Sequence, residues 1–67
     1  MKPSPYQIAA FTEAARERSF SRAAEAMGVT QSSITQHVAK LERAIGAPLF
    51  VRRSDGLELT RAGRDLF

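Results

Sequence analysis

The chain has 67 residues with ten Lys or Arg, seven Asp or Glu and no cysteine; a domain this small buries only about 60% of the surface that its unfolded chain exposes and has no room for a deep active-site cavity. Without cysteine, neither disulfides nor a thiolate zinc site can stabilise the fold, so a compact helical core has to suffice. The net charge of +3 lies on the basic side that is typical of nucleic-acid-binding proteins.

The chain begins with a predicted amphipathic helix. Pro3 and Pro5 disfavour a helix before about Tyr6, and from there Ile8 and Phe11 start an apolar series with helical spacing. Such a helix buries one face in the core of a small domain.

A second, short helix is predicted to run to about Met27. The break at Ser19–Ser21 precedes it, and the Ser21 hydroxyl can accept a hydrogen bond from an otherwise unpaired amide of the next turn, so Ser21 is the expected N-cap. Gly28 follows where a left-handed residue ends a helix without Cβ strain, and Thr30 is the expected cap of a third helix.

The third helix is predicted to have one apolar and one polar face. At roughly 100° per residue, one narrow stripe holds the side chains that we expect to be buried, Ile34, Val38, Leu41 and Ile45. The opposite side carries Ser32, Gln36, Lys40 and Arg43. Gly46 ends this helix and Pro48 prevents its resumption. The second and third helices, with the break at Gly28, are typical of a helix-turn-helix at about residues 20–39.

Beyond the third helix, residues 49–59 favour two short strands joined by a turn. The turn contains Asp55 and Gly56, and the residues from Leu57 to Leu59 alternate between apolar and polar. Thr60 is the expected cap of a further helix that starts over residues 61–67. The predicted fold is therefore mainly α, with a three-helix core and a two-stranded wing in one winged helix-turn-helix domain over residues 1–60.

The apolar segments of the sequence are all short. None reaches the roughly 18 residues of a membrane span, and Met1–Pro5 lacks the apolar segment of a signal peptide. The lack of cysteine is also compatible with a reducing compartment. We therefore expect a cytoplasmic protein with no membrane partner.

Motifs along nearly the whole chain follow one pattern. They are Ile8 with Phe11, Ser19-Phe20, Ala23-Ala24, Val29-Thr30-Gln31, Leu41-Glu42, Gly46, Leu49-Phe50 with Arg52, Leu59-Thr60 and Ala62-Gly63. In these motifs the chain resembles the N-terminal DNA-binding domain of LysR-type bacterial transcriptional regulators. The resemblance implies a winged helix-turn-helix whose third helix enters the major groove and whose wing reaches the neighbouring backbone or minor groove.

The same resemblance implies further parts and partners. The family pairs two subunits through a long linker helix, so the expected partners are double-stranded DNA with an interrupted dyad operator and further copies of the chain, in a dimer or tetramer. It also implies a larger C-terminal domain, absent from this chain, that binds a small-molecule effector; no cofactor is expected in the chain itself. Residues 61–67 are then the start of the linker helix, with Leu66 and Phe67 as an apolar dimerisation stripe.

The chain departs from the family at several DNA-facing positions. Ser32 and Ser33 stand where Pro or Ala is frequent, and Gln36 stands where Arg is common. His37 replaces a common Gln, and Asp55 replaces a usual wing arginine. These departures bear on the target sequence and on the wing contact rather than on the fold.

The start of the third helix carries the candidates for reading base edges. They are Gln31, Ser32, Ser33, Thr35 and Gln36, all uncharged hydrogen-bonding residues at the place where a helix-turn-helix presents its base-reading side chains. Each alone could equally be part of a solvated helix start, where Ser and Thr are common. We favour base contacts for at least Ser32 and Gln36, which point most directly away from the core.

The candidates for the DNA backbone or minor groove are mostly basic. They are Arg22, Thr30, His37, Lys40, Arg43, Arg52 and Arg53. A guanidinium at a wing tip suits phosphates and narrow minor grooves, and Arg22 could meet a phosphate together with the amino end of the second helix. An ion pair with Glu42 could instead occupy one of these basic side chains. His37, without cysteine or a carboxylate pair nearby, is a poor metal ligand, so a surface or phosphate-contacting imidazole is expected and no metal site is predicted.

Sequence-specific DNA binding in a transcriptional regulator is the leading functional hypothesis. The alternative is a winged-helix protein-interaction module, because the same fold can present its third helix to a protein. Uniform apolar exposure along that helix would favour the alternative. Its polar and basic residues favour DNA, namely Ser32, Ser33, Gln36 and Lys40. An enzyme is not expected, because no nucleophile and base can be assembled from one histidine without cysteine or a paired carboxylate.

Overall fold

A computed structural model describes residues 3–67, which form four helices and one two-stranded antiparallel sheet. Residues 1 and 2, the start of the predicted domain, lie outside the described part of the chain. The elements in chain order are α1 (Pro5–Glu17), α2 (Phe20–Met27), α3 (Gln31–Ile45), β1 (Phe50–Arg53), β2 (Gly56–Leu59) and α4 (Arg61–Leu66). The predicted mainly helical winged fold is confirmed.

Side-chain caps define the helix starts. The hydroxyls of Thr30 and Thr60 accept hydrogen bonds at 3.1 Å from the amides of Ser33 and Gly63, so both predicted caps are confirmed. Helix α1 begins slightly earlier than predicted, because Ser4 caps it in a reciprocal capping box and proline is well tolerated in the first helical position.

The predicted cap of α2 at Ser21 is wrong, and Ser19 holds that position. Ser19 has an extended backbone with φ −164°, and its hydroxyl accepts a hydrogen bond from the Arg22 amide at 3.0 Å. Only a residue with extended backbone just before the first turn can place its hydroxyl on that amide. Ser21 lies inside the turn and is exposed.

The core consists of two adjoining clusters. One joins the first three helices to the wing and contains Ala10, Ala14, Ala23, Ala24, Ile34, Val38 and Leu57. The other contains Phe11, Leu41 and Leu49. Small alanines on α1 and α2 let these helices approach closely, and the larger side chains of α3 fill the space between them.

Ile45 is not part of the core, contrary to the prediction from its helical stripe. It is the last residue of α3 and is 40% exposed. The chain turns away at Gly46, and Leu49 packs fully buried against Phe11 and Leu41. The buried stripe of α3 therefore ends at Leu41, because the returning chain covers that residue and leaves the last turn uncovered.

The wing is a short hairpin with distinct faces. Its register runs from Phe50 opposite Leu59 to Arg53 opposite Gly56. Because side chains alternate along a strand, Phe50 and Leu57 contact the helical core while Val51 and Glu58 are exposed.

The wing is attached to the corner between α1 and α2. The Leu57 amide donates to the Arg18 carbonyl at 3.0 Å, and the Arg18 Nε donates to the Leu57 carbonyl at 3.1 Å. Arg18 has a left-handed backbone with φ 54°, the only positive φ outside glycine among residues 3–67. Gly56, with φ 126°, lies so close that a Cβ there would sit 2.9 Å from the Arg18 carbonyl oxygen. This corner fixes the wing relative to the helices.

Helix α4 packs against the segment that precedes the wing. The Thr60 hydroxyl donates to the Pro48 carbonyl at 2.6 Å, and the Thr60 amide donates to the Leu49 carbonyl at 3.0 Å. Gly63 is buried against the same Leu49 carbonyl, which a Cβ would overlap, and that Cβ would also lie 2.9 Å from Cδ2 of Leu59. The absence of a side chain at Gly63 is therefore what permits this approach.

Candidate nucleic-acid interface

Helix α3 presents a polar surface to solvent. Its exposed residues are Gln31, Ser32, Thr35, Gln36, Lys40, Arg43 and Ile45. Four of the five predicted base-reading residues are in this set, whereas Ser33 is half-buried. None of these exposed residues is acidic, so the surface can approach a polyanion without like-charge repulsion from its own side chains.

The polar side chains at the start of α3 are held by weak or local hydrogen bonds. The Thr35 hydroxyl donates to the Gln31 carbonyl at 3.0 Å. The Gln36 Nε2 donates to the Ser32 hydroxyl at 3.4 Å, which is long for a hydrogen bond and easily replaced by another acceptor. Ser32 and Gln36 thus lie together on the exposed face with hydrogen-bonding groups available to a ligand.

A groove between α1 and α3 lies on one side of this surface. Gln7, Lys40, Arg43 and Ala44 line it. The ion pair considered for Arg43 is not formed, because the Glu42 carboxylate accepts a hydrogen bond from the Leu49 amide at 2.7 Å. Within residues 3–67, neither Lys40 nor Arg43 forms an ion pair, so both charges are available to a ligand.

A second groove lies on the other side, between the amino ends of α2 and α3 and the wing. It is lined by Arg18, Ser19, Ser21, Gln31, Arg52, Arg53, Gly56 and Leu57. The predicted backbone contacts Arg22 and Thr30 are exposed near these helix starts. The structure therefore places cations on both sides of the polar surface of α3.

The two wing arginines differ in their surroundings. Arg52 faces the helices, with its guanidinium carbon 5.0 Å from the centroid of the Phe20 ring, a cation–π contact that orders the side chain. Arg53 faces the opposite side and pairs with Glu58 at 3.1 Å. Both partners of that pair are more than half exposed, so a phosphate can compete for Arg53 at little cost.

His37 is more enclosed than predicted for a surface imidazole. The residue is half-buried, its Nδ1 is shielded from solvent without a hydrogen-bond partner, and its ring centroid lies 4.3 Å from that of Tyr6. Tyr6 was not among the predicted site residues. Nothing in the spacing of the sequence pairs these two aromatic rings, because the contact joins different helices.

The carboxyl end of the chain exposes the predicted apolar residues. Leu66 is 37% and Phe67 60% exposed. The Phe67 ring also contacts the edge of Phe11, with ring centroids 6.3 Å apart. Phe67 therefore packs in part against its own domain, although it is the more exposed of the two.

Neither metal-binding nor membrane-spanning features occur among the described residues. From residue 3 to residue 67, no cluster of three or more His, Asp or Glu side chains could hold a metal ion. In the same range, no helix is long and apolar enough to cross a membrane.

Comparison with known proteins gives consistent matches. The family model described as bacterial regulatory helix-turn-helix protein, lysR family, matches residues 5–64. The chain is 46% identical over 57 residues to the HTH-type transcriptional regulator BudR of Klebsiella aerogenes, a match that covers 85% of this chain and 40% of BudR. The chain thus spans less than half the length of this relative.

Solved structures with the same fold include regulators with and without DNA. A LysR-family transcriptional regulator from Eggerthella lenta superposes with a TM-score of 0.87 at 40% identity, covering 94% of this chain and 90% of that one. Vibrio fischeri DarR, crystallised in complex with DNA, superposes with a TM-score of 0.89 at 34% identity, covering 96% of this chain and 22% of DarR.

Proposed function

Because the chain belongs to the LysR family of bacterial regulatory helix-turn-helix proteins, we propose that it binds double-stranded DNA sequence-specifically, as the DNA-binding domain of a transcriptional regulator. The observation that carries this proposal is the polar surface of α3 with a cation-lined groove on each side. A helix in the major groove has one phosphate backbone on either side. The arrangement of charge therefore matches that of duplex DNA.

The proposal assigns distinct roles to the two kinds of residue. Ser32 and Gln36 read base edges, since they are exposed at the middle of the polar surface. Lys40 and Arg43 contact one phosphate backbone, and the wing arginines with Arg22 contact the other. Phosphate contacts position the helix, and base contacts determine which sequence it prefers.

The whole protein to which this domain belongs is proposed to regulate transcription in the cytoplasm. Its relatives are transcriptional regulators, which supports a non-enzymatic role. A C-terminal domain outside this chain binds the small-molecule effector in this proposal, and two or four subunits associate through the linker helix on an interrupted dyad. The alternative of a protein-interaction module is not favoured, because Ile45 is the only exposed large apolar residue on α3.

Duplex binding of the 67-residue chain is the direct test. We expect fluorescence anisotropy with a labelled duplex to show that the logarithm of affinity falls linearly with the logarithm of salt concentration, because each neutralised phosphate releases condensed counterions. Selection from random duplex DNA should then enrich a common half-site. A chain that binds no duplex at low salt would contradict the proposal, and one that binds without enrichment would contradict its sequence specificity.

Removal of either wing arginine is expected to reduce the salt dependence. Arg52→Ala and Arg53→Ala should each lower the slope of log affinity against log salt by about 0.9, the value for one lost phosphate contact, with little change in sequence preference. Glu58→Gln should strengthen binding with little change in the slope, because it removes the carboxylate that competes with the phosphate for Arg53. Arg16→Ala is the control, since Arg16 lies on α1 and pairs with Glu13. If both wing variants keep the parental slope, the wing does not contact phosphate.

The 67-residue chain is expected to be mostly monomeric at micromolar concentration. Helix α4 has only six residues, and Leu66 is exposed on it without a partner helix. Continuation of this helix with linker sequence should give a stable dimer with much tighter binding to an interrupted dyad, because the second half-site is then bound at high effective concentration. Sedimentation of both forms measures this. A tight dimer of the 67-residue chain that persists in Leu66→Asp would place the interface elsewhere.

A further inference from the structure

The aromatic pair of Tyr6 and His37 joins the first turn of α1 to the middle of α3. Their ring centroids are 4.3 Å apart with the planes inclined by 43°. A reciprocal capping box between Ser4 and Gln7 fixes the turn that carries Tyr6. The imidazole of His37 is thus supported by a part of the chain that carries none of the proposed DNA contacts.

The two ring nitrogens of His37 are in different environments. Nδ1 is shielded from solvent and has no hydrogen-bond partner among the residues of the described chain. In a neutral imidazole one nitrogen donates and the other accepts, and an unpaired buried N–H is rarer in folded proteins than an under-satisfied acceptor. The ring is therefore best accommodated with its hydrogen on Nε2 and a bare Nδ1.

We infer that His37 contacts a DNA phosphate through its Nε2–H as an uncharged donor, and that Tyr6 is the positioning residue that holds the imidazole ring in place on α3. The inference rests on the proposed function and adds to it the mode of contact of His37 and the residue that positions it. His37 follows Gln36 and precedes Lys40 by one turn on α3, on the flank of the helix that meets α1. This flank borders the groove lined by Gln7 and Lys40, where the phosphate backbone is proposed to run.

An uncharged donor and a cation contribute differently to the dependence of DNA affinity on salt concentration. A lysine that neutralises a phosphate releases counterions, so its removal both weakens binding and flattens the salt slope. A neutral N–H···O bond to a charged phosphate adds affinity without that release. His37 should therefore contribute to affinity equally at every salt concentration, in contrast to Lys40.

The tautomer is measured first, in the free 67-residue chain without DNA. Long-range ¹H–¹⁵N NMR spectra at pH 8, where an ordinary imidazole is uncharged, should show the hydrogen on Nε2. Tyr6→Phe keeps the ring and should keep this pattern. Tyr6→Ala removes the ring that packs on His37 and should change the chemical shifts of the imidazole, with the hydrogen still on Nε2. A dominant Nδ1–H form in the unmodified chain would overturn the assignment.

The phosphate contact is measured next, by anisotropy with a short labelled duplex of arbitrary sequence at pH 8 over a range of salt concentrations. His37→Leu should weaken binding about tenfold, the size of one hydrogen bond to a charged group, with an unchanged salt slope. Lys40→Gln is the matched control on the same flank and should flatten the slope by about 0.9. His37→Gln keeps a neutral donor and should recover most of the affinity. Tyr6→Ala should weaken binding, also with an unchanged slope, and Tyr6→Phe should bind as the unmodified chain does.

The outcomes separate this inference from the proposed function. If the unmodified chain binds duplex with a salt-dependent affinity but His37→Leu binds equally well, the DNA contact of His37 is refuted and DNA binding stands. A flattened slope in His37→Leu would show that His37 acts as a cation. If the unmodified chain binds no duplex, the proposed function fails together with the phosphate contact, while the NMR result still decides the tautomer of His37.

Discussion

Replacement of Gly63 by alanine should lower the free energy of unfolding by about 1–3 kcal/mol, the usual cost of forcing an extra carbon into a packed core. The added Cβ would overlap the carbonyl oxygen of Leu49 and lie 2.9 Å from Cδ2 of Leu59. A backbone carbonyl cannot rotate away as a flexible side chain can, so α4 must move. Thermal unfolding followed by circular dichroism measures the loss, and in a domain of this size each 1 kcal/mol corresponds to roughly 4–8 °C.

Whether Gly63→Ala lowers or raises the free energy of unfolding tests how closely α4 packs on Leu49. At an uncrowded helical position, replacement of glycine by alanine stabilises by up to about 1 kcal/mol. A raised melting temperature of Gly63→Ala would therefore show that α4 does not pack closely on Leu49. Arg61→Ala, at an exposed position of the same helix, is the control and should change stability by no more than about 0.5 kcal/mol.

Replacement of Gln36 is expected to have the largest effect on sequence preference. Gln36→Ala should cost about 1–3 kcal/mol on the preferred site and little on random DNA. The side-chain amide can donate to N7 of adenine and accept from its N6 amino group. Adenine presents this acceptor and this donor side by side in the major groove. Its present bond to Ser32, at 3.4 Å, is weak enough to be exchanged for these contacts. Gln36→Arg should shift one half-site position towards guanine, whose O6 and N7 suit a guanidinium.

The measurement is a fluorescence titration against the four variants of one base pair in a site selected from random duplex DNA. Arg16 lies on α1 and pairs with Glu13. Arg16→Gln therefore serves as the control and should leave all four affinities in their original order. An equal loss on all four variants in Gln36→Ala would mean that Gln36 positions the helix without reading sequence.

Signals carried by neighbouring residues made most of the fold predictable. Gly28 has φ 68° at the end of α2, and Gly46 has φ 84° at the end of α3, as expected where a helix closes in a left-handed residue. The caps at Thr30 and Thr60 and the alternation of apolar and polar residues in β2 can likewise be recognised from a few neighbouring residues. The cap of α2, predicted at Ser21 and found at Ser19, shows the limit of such signals. Several serines in one break offer equivalent hydroxyls, and only the backbone turn at Arg18 selects among them.

Contacts between distant segments were not predictable from local patterns. The exposure of Ile45 depends on where the returning chain places Leu49. The Arg53–Glu58 pair follows from the hairpin register and could have been found once that register was fixed. The Tyr6–His37 pair had no such signal, because periodicity assigns a residue to a face of its helix but does not say which side chain of another helix it meets.

The left-handed corner at Arg18 helps to fix the position of the wing independently of the exposed side chains of α3. A hairpin of four-residue strands is marginal in isolation, so its bonds to Arg18 and its packing on the core determine where the wing lies. None of these bonds involves the exposed residues of α3. The spacing between α3 and the wing arginines thus depends on residues other than the exposed α3 side chains that we propose to read bases. We therefore expect substitutions on the exposed face of α3 to change base preference without moving the wing arginines.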